Sequence, residues 1–387
     1  MNKVKFVTII IIIFLIVSLL TFLNYDKIID FFTNKQWEIA DSIGKIEYEN
    51  YVDAFNTNSD FFIINGTEIQ GYSDTVKKVF EKSISFKDVL SKTAGDYAII
   101  AEKNSTDVFV INKDEEVWNT SINNASILGV SINKNGYSAV IYSQAGYKSL
   151  IKVFSSAGEE LFTNYLASTY AIDVAISNDN KTLAIAEIDT NGVSLTSRLK
   201  LIDVQSASEN NVKKIDLDGD ELISDIEFDE NNHLIVLTDV NVIVLKNENI
   251  LELINFKDEN IINANISNQK NLVAVKLNEE SLFNVKCELC IYNFNDSKNV
   301  KTYMIEETPN RVVTCNDVIA VDTGSKIIFL NSSANFLKKC QYNGQLKNIS
   351  LFDNGKTAVL LFRDTAEFIK VGGMWCLMLR ILLLLLL

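Results

Sequence analysis

The chain repeats one pattern: an alternating apolar strand, a turn rich in Asn, Asp or Gly, and a second apolar strand. Three copies align without a gap, at residues 127–141, 171–185 and 346–360. Two-residue alternation and abundant Val, Ile, Phe and Tyr indicate strands, since apolar residues on a helix recur every three or four positions. Self-similarity of this kind predicts a repeat architecture.

The spacing of the copies sets the size of the repeating unit. Looser copies occupy 223–236 and 262–275, and equivalent positions fall at Ile132, Ile176, Phe228, Ile266 and Leu351, in steps of 44, 52, 38 and 85 residues. The last step covers two periods, with a degenerate copy around 312–321 between them. Further strand-like stretches follow each copy. Four short strands in about 40 residues are typical of a propeller blade.

Eight such units can be counted along residues 45–371. They span about 45–87, 88–125, 126–168, 169–218, 219–258, 259–308, 309–344 and 345–371. The last unit has only three visible strands, and residues 44–50 (GKIEYEN) are predicted to supply the fourth, because sharing a blade between the two chain ends removes an open sheet edge. The predicted fold class is therefore all-β, a propeller of eight four-stranded blades, with seven blades as the alternative.

The repeats resemble the β-propeller repeats of the WD40 and quinoprotein-like type. The likeness covers roughly residues 45–371 and includes phrases such as Asp114-Glu-Glu-Val-Trp118, although the Gly-His and Trp-Asp signatures of WD40 repeats are missing. By overall layout, the chain also resembles an uncharacterised family of membrane-anchored propeller proteins of low-GC Gram-positive bacteria. That resemblance implies a fold and a location, but no activity.

An apolar run precedes the repeats, from Phe6 to Leu23, and contains no charged residue. As a helix it would extend about 27 Å, close to the roughly 30 Å of a bilayer core. Lys3 and Lys5 precede it, which favours a cytoplasmic N-terminus. A cleaved signal peptide is the alternative, but the small-residue cleavage pattern is absent after Leu23. We expect an uncleaved membrane anchor with the propeller outside the cytoplasm.

The remaining segments complete the predicted organisation. The tail 372–387 (GGMWCLMLRILLLLLL) departs from the repeat, and with Arg380 inside it is too short to predict a second span. The predicted domains are a cytoplasmic tip at 1–5, the anchor at 6–23, a stalk at 24–44, the propeller at 45–371 and the apolar tail at 372–387.

Charge and composition exclude several classes of function. The formal net charge is −14 and no basic cluster follows the anchor, so a duplex nucleic acid is not an expected partner. His233 is the only histidine, which excludes multi-histidine metal sites and limits a Ser-His-Asp triad to this one residue. It lies in the predicted turn 229–233. Four scattered arginines argue against a sialidase-like site, and no P-loop or dinucleotide fingerprint follows a predicted strand.

Two pairs of cysteines are candidates for metal or redox chemistry. Cys287 and Cys290 form a C-x-x-C motif, but a zinc site needs a second pair, and within a strand residues three apart point to opposite faces. Cys315 and Cys340 fall within one predicted blade and could pair outside the cell. The default expectation is that these cysteines lie in the core.

The acidic segment 216–221 (DLDGDE) suggests a calcium loop. An EF-hand loop requires Gly at its sixth position and Glu at its twelfth; Glu227 fits the twelfth, but Glu221 takes the place of the Gly, and the matching Glu alone is not enough. The segment is predicted to link the outer strand of one blade to the inner strand of the next, with a weak cation site as the alternative. Asp218, Asp220, Arg311 and loop aromatics such as Tyr170 are candidates for a binding surface if they share a face.

These observations predict a non-catalytic interaction module outside the membrane that uses propeller loops to bind a protein or an envelope glycan. The anchor would supply contact with the membrane. No catalytic, cofactor-binding or metal-binding residue is assigned, and no cofactor is expected. The alternative is an extracytoplasmic enzyme or sensor with an acidic or cation site at the propeller channel.

Overall fold

The computed structural model describes residues 41–371, apart from 207–211, 218–220, 247–248, 258, 268–269 and 281–284. These residues form 32 strands in eight four-stranded antiparallel sheets. The predicted propeller of eight blades is confirmed, and the alternative of seven is wrong.

The blades are numbered in chain order. Blades 1 to 4 contain β2 (Asp53–Asn56), β3 (Asp60–Ile64), β4 (Glu68–Ser73) and β5 (Lys78–Ser83); β6 (Val89–Ala94), β7 (Tyr97–Glu102), β8 (Asp107–Asn112) and β9 (Glu115–Ser121); β10 (Ser126–Ile132), β11 (Ser138–Gln144), β12 (Tyr147–Phe154) and β13 (Glu160–Leu166); and β14 (Thr169–Ile176), β15 (Thr182–Asp189), β16 (Thr196–Asp203) and β17 (Val212–Asp216).

Blades 5 to 8 follow the same plan. They contain β18 (Ile223–Phe228), β19 (Leu234–Thr238), β20 (Asn241–Lys246) and β21 (Asn249–Asn255); β22 (Ile261–Ser267), β23 (Asn271–Glu280), β24 (Val285–Asn293) and β25 (Asp296–Ile305); β26 (Arg311–Cys315), β27 (Val318–Asp322), β28 (Lys326–Asn331) and β29 (Phe336–Gln341); and β30 (Asn348–Leu351), β31 (Thr357–Leu361), β32 (Thr365–Lys370) and β1 (Ser42–Glu47). The first strand named for each blade is the innermost one. In blade 8 the outermost strand is β1, which comes from the other end of the propeller.

The ring is closed by the strand that the sequence predicts, with slightly different bounds. β1 pairs antiparallel with β32, from Ser42 opposite Ile369 to Glu47 opposite Thr365. Just beyond it, the Tyr48 hydroxyl donates a 2.5 Å hydrogen bond to the Phe362 carbonyl. This arrangement removes the open edge that blade 8 would otherwise present.

The middle strands of each blade show why the sequence contains short continuous apolar runs. β3 and β27 are buried at every position, because adjacent blades cover both faces of their sheet. Outer strands alternate instead, as in β9, where Trp118 is the one buried residue. Eight apolar clusters result, and each joins two neighbouring blades.

The two faces of the ring differ in what they carry. We call the face that holds the turn between the first and second strands of each blade the turn face, and the opposite face, with the connections between blades, the mouth face. On the turn face, Asn and Gly take the left-handed conformation that closes these turns, as Gly136 (φ 82°) and Asn180 (φ 61°) do. Neighbouring turns are also bonded: the Asn133 side-chain amide donates to the Ser177 carbonyl at 2.8 Å.

Both ends of the propeller emerge on the turn face. The Lys370 amide donates to the Asp41 carbonyl at 3.1 Å, and the Val371 amide donates to the Lys356 carbonyl in the first turn of blade 8 at 2.8 Å. The predicted anchor, the residues of the stalk before 41 and the tail 372–387 lie outside the described residues. Within the described ranges, no helix has the length and apolar character needed to cross a bilayer.

Candidate functional site

The innermost strands, which surround the central channel, fall into two groups. In β10, β14, β18 and β22 the pairing with the second strand skips one residue near the mouth face, and the skipped residues are Leu128, Ile172, Ser224 and Ile262. The innermost strands β2, β6, β26 and β30 pair without a skip. We call blades 3 to 6 the bulged half of the ring and blades 7, 8, 1 and 2 the regular half.

The bulges are supported by the preceding blade. Just before the bulge, the Ile127 amide donates to the Ser105 carbonyl at 3.0 Å. At the equivalent positions, the Ala171 amide donates to Ser149 Oγ at 3.1 Å. The Ile223 amide likewise donates to Ser197 Oγ at 3.2 Å. An amide that the bulge frees from its own sheet is thereby satisfied, which makes the bulge a stable feature.

In two of the four bulged strands, the residue after the bulge brings a carboxylate into the channel. The four equivalent residues are Gly129, Asp173, Asp225 and Asn263. Asp173 Oδ2 accepts a 3.0 Å hydrogen bond from the Ile226 amide of the next blade.

Lys92 of β6 reaches this acidic cluster from the other side of the channel, although blades 3 and 4 lie between its own blade and β18. Its Nζ is 3.7 Å from both Asp225 Oδ1 and Glu227 Oε1. We call Lys92, Asp173, Asp225 and Glu227 the channel cluster. It ties the regular half to the bulged half across the open centre of the ring.

Protein encloses the channel cluster, although water in the channel still reaches it. The side chain of Lys92 is 37% exposed and that of Glu227 is 27% exposed. Burial, together with a hydrogen bond between the Asp173 and Asp225 carboxyl groups, raises the pKa of Asp173 to about 7, against the opposing attraction of Lys92. Burial also raises the pKa of Glu227.

The charge on the lysine is retained despite its surroundings. Burial disfavours the charged form of Lys92, but the three neighbouring carboxylates outweigh this and raise its pKa. Toward the turn face, a cavity of about 50 Å³ lies beside Lys92 and Glu227, lined also by Asn133, Asn178 and Phe228. A few water molecules would fit there.

The regular half fills its share of the channel with short polar links between adjacent innermost strands. The Ser91 hydroxyl donates to Asp53 Oδ2 at 3.0 Å. The Asn56 side chain donates to the Leu351 carbonyl at 3.1 Å. In these pairs, the polar groups of the regular half bond one another.

The mouth face of the bulged half carries most of the exposed large apolar side chains found among the described residues. These side chains are Leu128, Tyr147, Tyr165, Tyr170, Ile172, Val193, Leu195, Ile262 and Met304. The Tyr147 and Tyr165 rings are 5.0 Å apart, and Lys148 Nζ lies 4.9 Å from the Tyr170 ring. We call this surface the apolar mouth.

Comparison with known proteins places the chain in a family. The model of a family of unknown function, DUF5711, matches residues 32–371. The chain belongs to this family. No curated protein sequence matches it.

Solved structures share the fold of this DUF5711 chain at low identity. The C-terminal WD40 domain of Sif2 is 12% identical with a TM-score of 0.61, covering 87% of this chain and 99% of the domain. The Dos1 propeller is 10% identical with a TM-score of 0.58, covering 86% and 95%. BamB from Moraxella catarrhalis is 11% identical with a TM-score of 0.51, covering 86% and 100%. The likeness to WD40 propellers predicted from the repeats is therefore confirmed for the fold.

The cysteines of this DUF5711 chain lie where the strand pattern predicts. Cys287 and Cys290 are both buried in β24 and belong to different interblade clusters, on opposite faces of their sheet. Their thiols therefore do not converge. Cys315 and Cys340 share one cluster and are free thiols. Burial raises the pKa of Cys340 to about 11, which disfavours the reactive thiolate.

The acidic segment joins two blades, as predicted. Asp216 ends β17, and Glu221 Oε1 accepts a 2.6 Å hydrogen bond from the Asn241 side chain. Asp218 and Asp220 lie outside the described residues. No group of three candidate metal ligands occurs among the residues that are described.

The structure also shows the surroundings of three other residues that the sequence analysis names. His233 lies in its turn but is partly buried, with Nδ1 2.9 Å from Asp229 Oδ2. Tyr170 is exposed as expected, although it lies in β14 and not in a loop. Arg311 begins the innermost strand β26, where its Nη1 is buried without a hydrogen-bond partner.

Sequence reasoning missed the channel cluster, although a signal was present. Asp173 and Asp225 follow Ala171-Ile172 and Ile223-Ser224 at equivalent places in two repeats. A polar residue at the same position of adjacent innermost strands points to the channel of a propeller. Lys92 left no such signal, because its contacts depend on the curvature of the whole ring.

Proposed function

We propose that this chain is a non-catalytic interaction module that binds a protein partner through the apolar mouth. The single observation that carries this proposal is the concentration of exposed tyrosines and aliphatic residues on one face of one half of the ring. Aromatic side chains without hydrogen-bond or core roles are costly to expose and are enriched where proteins bind one another. An envelope glycan is the other partner that such tyrosines would suit.

The proposal includes a location. Residues 6–23 would hold the chain in a membrane as a single-pass anchor, with residues 1–5 in the cytoplasm and the propeller outside it, as in the membrane-anchored propellers of low-GC Gram-positive bacteria that the layout resembles. The position of the chain ends supports this arrangement. Asp41 and Val371 are both on the turn face, so a chain tethered there presents the apolar mouth away from the tether.

A test of location uses one exposed position. Val193 is fully exposed in the β15–β16 loop, so a Val193→Cys variant should react with a membrane-impermeant maleimide on intact cells. The wild-type chain, which keeps its own five cysteines, gives the background labelling against which the variant is measured. Labelling that appears only after lysis would contradict the extracytoplasmic location.

A test of binding compares the two faces of the ring. A photoreactive phenylalanine analogue replaces Tyr170 on the apolar mouth or, as the matched control, the exposed Lys356 on the turn face. We expect a discrete protein adduct from position 170 and none of the same mass from position 356. Equal adducts at both positions, or none at position 170, would overturn the proposal.

One observation favours a second function, that of a sensor or enzyme acting in the channel. Asp173 and Asp225 share a hydrogen bond between two carboxyl groups, as paired acids in active sites do. A panel of hydrolase substrates tested with the purified chain, alongside the Asp173→Asn variant, separates the two functions. Turnover that the variant loses would support the second function, and turnover that it retains would exclude this pair.

A further inference from the structure

We propose that the segment bound at the apolar mouth carries Lys or Arg next to apolar side chains. This inference rests on the proposed function and adds the chemistry of the partner. It is carried by two features that lie one residue apart, the exposed apolar residues at the bulges and the carboxylates that follow them.

The bulges place apolar side chains at the rim of the channel in three blades. Leu128 is 38% exposed, Ile172 36% and Ile262 38%, each at the skipped position of its innermost strand. A regular strand would hold such residues within the alternation of its sheet. The bulge turns them out of it, and an apolar side chain of a partner would cover them.

The next residue along two of the bulged strands is an acid. Asp173 follows Ile172 directly, and Asp225 follows Ser224, so a group that passes the rim meets these two carboxylates first. The eight innermost strands, whose residues are all described, hold four carboxylates, Asp53, Asp173, Asp225 and Glu227, and two cations, Lys92 and Arg311. With Asp173 protonated, the net charge of these six groups is −1, and with Asp173 ionised it is −2.

Charge complementarity therefore selects a cationic partner. An acidic segment would add like charge to a channel that already holds an excess of carboxylates, within a chain of net charge −14. A Lys or Arg side chain would instead supply the counter-charge that Lys92 alone does not complete. Tyr170 adds an aromatic ring that already faces one ammonium group, from Lys148 at 4.9 Å.

Proton linkage gives the inference a second readout. The groups that act on Asp173 are Asp225 and the Ile226 amide from β18 and Lys92 from β6, and Glu227 acts in turn on Lys92 and Asp225. On the side of blade 3, β10 has no charged residue, and Lys148 of β12 lies over the Tyr170 ring. Because the pKa of Asp173 is about 7, a bound cation favours its ionised form, and binding should tighten as the pH rises from 6 to 8.

The experiment uses the full chain in nanodiscs of zwitterionic lipid, with empty nanodiscs as the blank. Three fluorescein-labelled nonapeptides are compared by anisotropy: alternating Leu and Lys, alternating Leu and Glu, and alternating Ser and Lys. We expect the Leu–Lys peptide to bind roughly tenfold more tightly than either of the others. Its affinity should rise with pH across 6 to 8.

Variants assign the binding to residues. Asp173→Asn with Asp225→Asn, and separately Leu128→Ser with Ile172→Ser, should each weaken Leu–Lys binding roughly tenfold, and the acid variant should also lose the pH dependence. Asp114→Asn, an acid in a turn-face loop of blade 2, is the matched control and should change nothing. Circular dichroism and thermal melts confirm that each variant is folded.

Each other result has a definite meaning. Equal binding of the Leu–Lys and Leu–Glu peptides, or binding unchanged by both double variants, overturns the inference. If no peptide binds while the adduct at position 170 persists, the partner chemistry is wrong and the proposed function stands. If the peptide binds only after residues 372–387 are removed, or if the Leu128→Ser, Ile172→Ser variant abolishes self-association, the occupant is the tail or a second copy and the inference fails.

Discussion

The bulged and regular halves of the ring are built from the same four-stranded unit but differ in their innermost strands. The innermost strands of the bulged half have 7, 8, 6 and 7 residues, whereas those of the regular half have 5, 4, 4 and 6 in the order of blades 7, 8, 1 and 2. The longer strands continue past the last regular pair toward the mouth face and carry the bulges there. A one-residue skip, repeated in four blades, makes one half of the ring differ from the other near the mouth face.

The apolar cores at two joints between blades, one in each half, also differ in composition. Around the closing blade, aromatic residues pack together: the Phe61 and Phe368 rings meet edge to face at 5.6 Å, and Phe352 lies 6.1 Å from Phe368. Between blades 3 and 4 the core is aliphatic, with Ile151 and Ile185 fully buried. The joint between blades 8 and 1 is thus filled by large aromatic side chains, whereas the buried residues between blades 3 and 4 are aliphatic.

The largest expected effect is on the aromatic core. Phe368→Ala removes a fully buried ring from the joint between blades 8 and 1 and should lower the free energy of unfolding by about 3–5 kcal/mol. Ile185→Val in the bulged half removes one methylene and should cost about 0.5–1.5 kcal/mol. Urea unfolding measures both. Comparable costs would show that closure does not depend on the aromatic residues.

The next effect is a dependence of stability on pH that comes from the bulged half. The folded-state pKa of Asp173 is raised to about 7, so the folded chain holds a proton that the unfolded chain releases. Stability should therefore fall as the pH rises toward 7, by about 2 kcal/mol at most between pH 5.5 and 7, and then level off.

The Asp173→Asn variant isolates this contribution. Its stability should change less with pH than that of the wild type, and the difference between the two curves should be confined to the range below about pH 7. Asp114→Asn is the matched control. Parallel curves for wild type and Asp173→Asn would show that this carboxyl group titrates normally.

The turn face should respond equally in both halves, since bonds between neighbouring turns occur in each half. Asn180 (φ 61°) bonds Asn133 in the bulged half, and Asn316 (φ 50°) bonds the Asp353 carbonyl in the regular half. Replacing either by Ala forces a left-handed residue and removes a hydrogen bond, at about 1–2 kcal/mol in thermal melts. Unequal costs would mean that the turns, like the innermost strands, differ between halves.

The smallest expected effect on stability is at the apolar mouth. Leu128→Ser and Ile172→Ser change partly exposed side chains and should each alter the free energy of unfolding by within about 0.5 kcal/mol. Chemical denaturation of each variant is the measurement. A cost of several kcal/mol would assign these residues to the core and remove them from the binding surface.

Local patterns in the sequence predict most of the fold. Turn residues such as Asn180 mark the left-handed positions, the buried middle strands appear as apolar runs, and the closing strand was predicted at 44–50 and found at 42–47. The opposite faces of Cys287 and Cys290 follow from strand geometry alone. These features depend on residues that are close together in the chain, which is why the sequence reveals them.

The candidate site depends on what lies far apart in the chain. The bulges are stabilised by the preceding blade, as at Ala171 and Ser149, so a single strand does not disclose them. The ion pairs from Lys92 to Asp225 and Glu227 form only when the ring has brought blades 2 and 5 together. An isolated Asp such as Asp173 in a strand resembles a residue on a solvated face, and only its position in the ring identifies it.

The closing strand has a consequence for how the chain is made. The residues of β1 are synthesised first, yet their partners in β32 come more than 300 positions later, as the bond from Tyr48 to Phe362 shows with its separation of 314 residues. The leading segment must therefore stay unpaired while seven blades take shape beside it. Contacts so distant in sequence form slowly. A nascent chain that ends before residue 365 lacks β32, so β1 has no partner strand and the ring stays open.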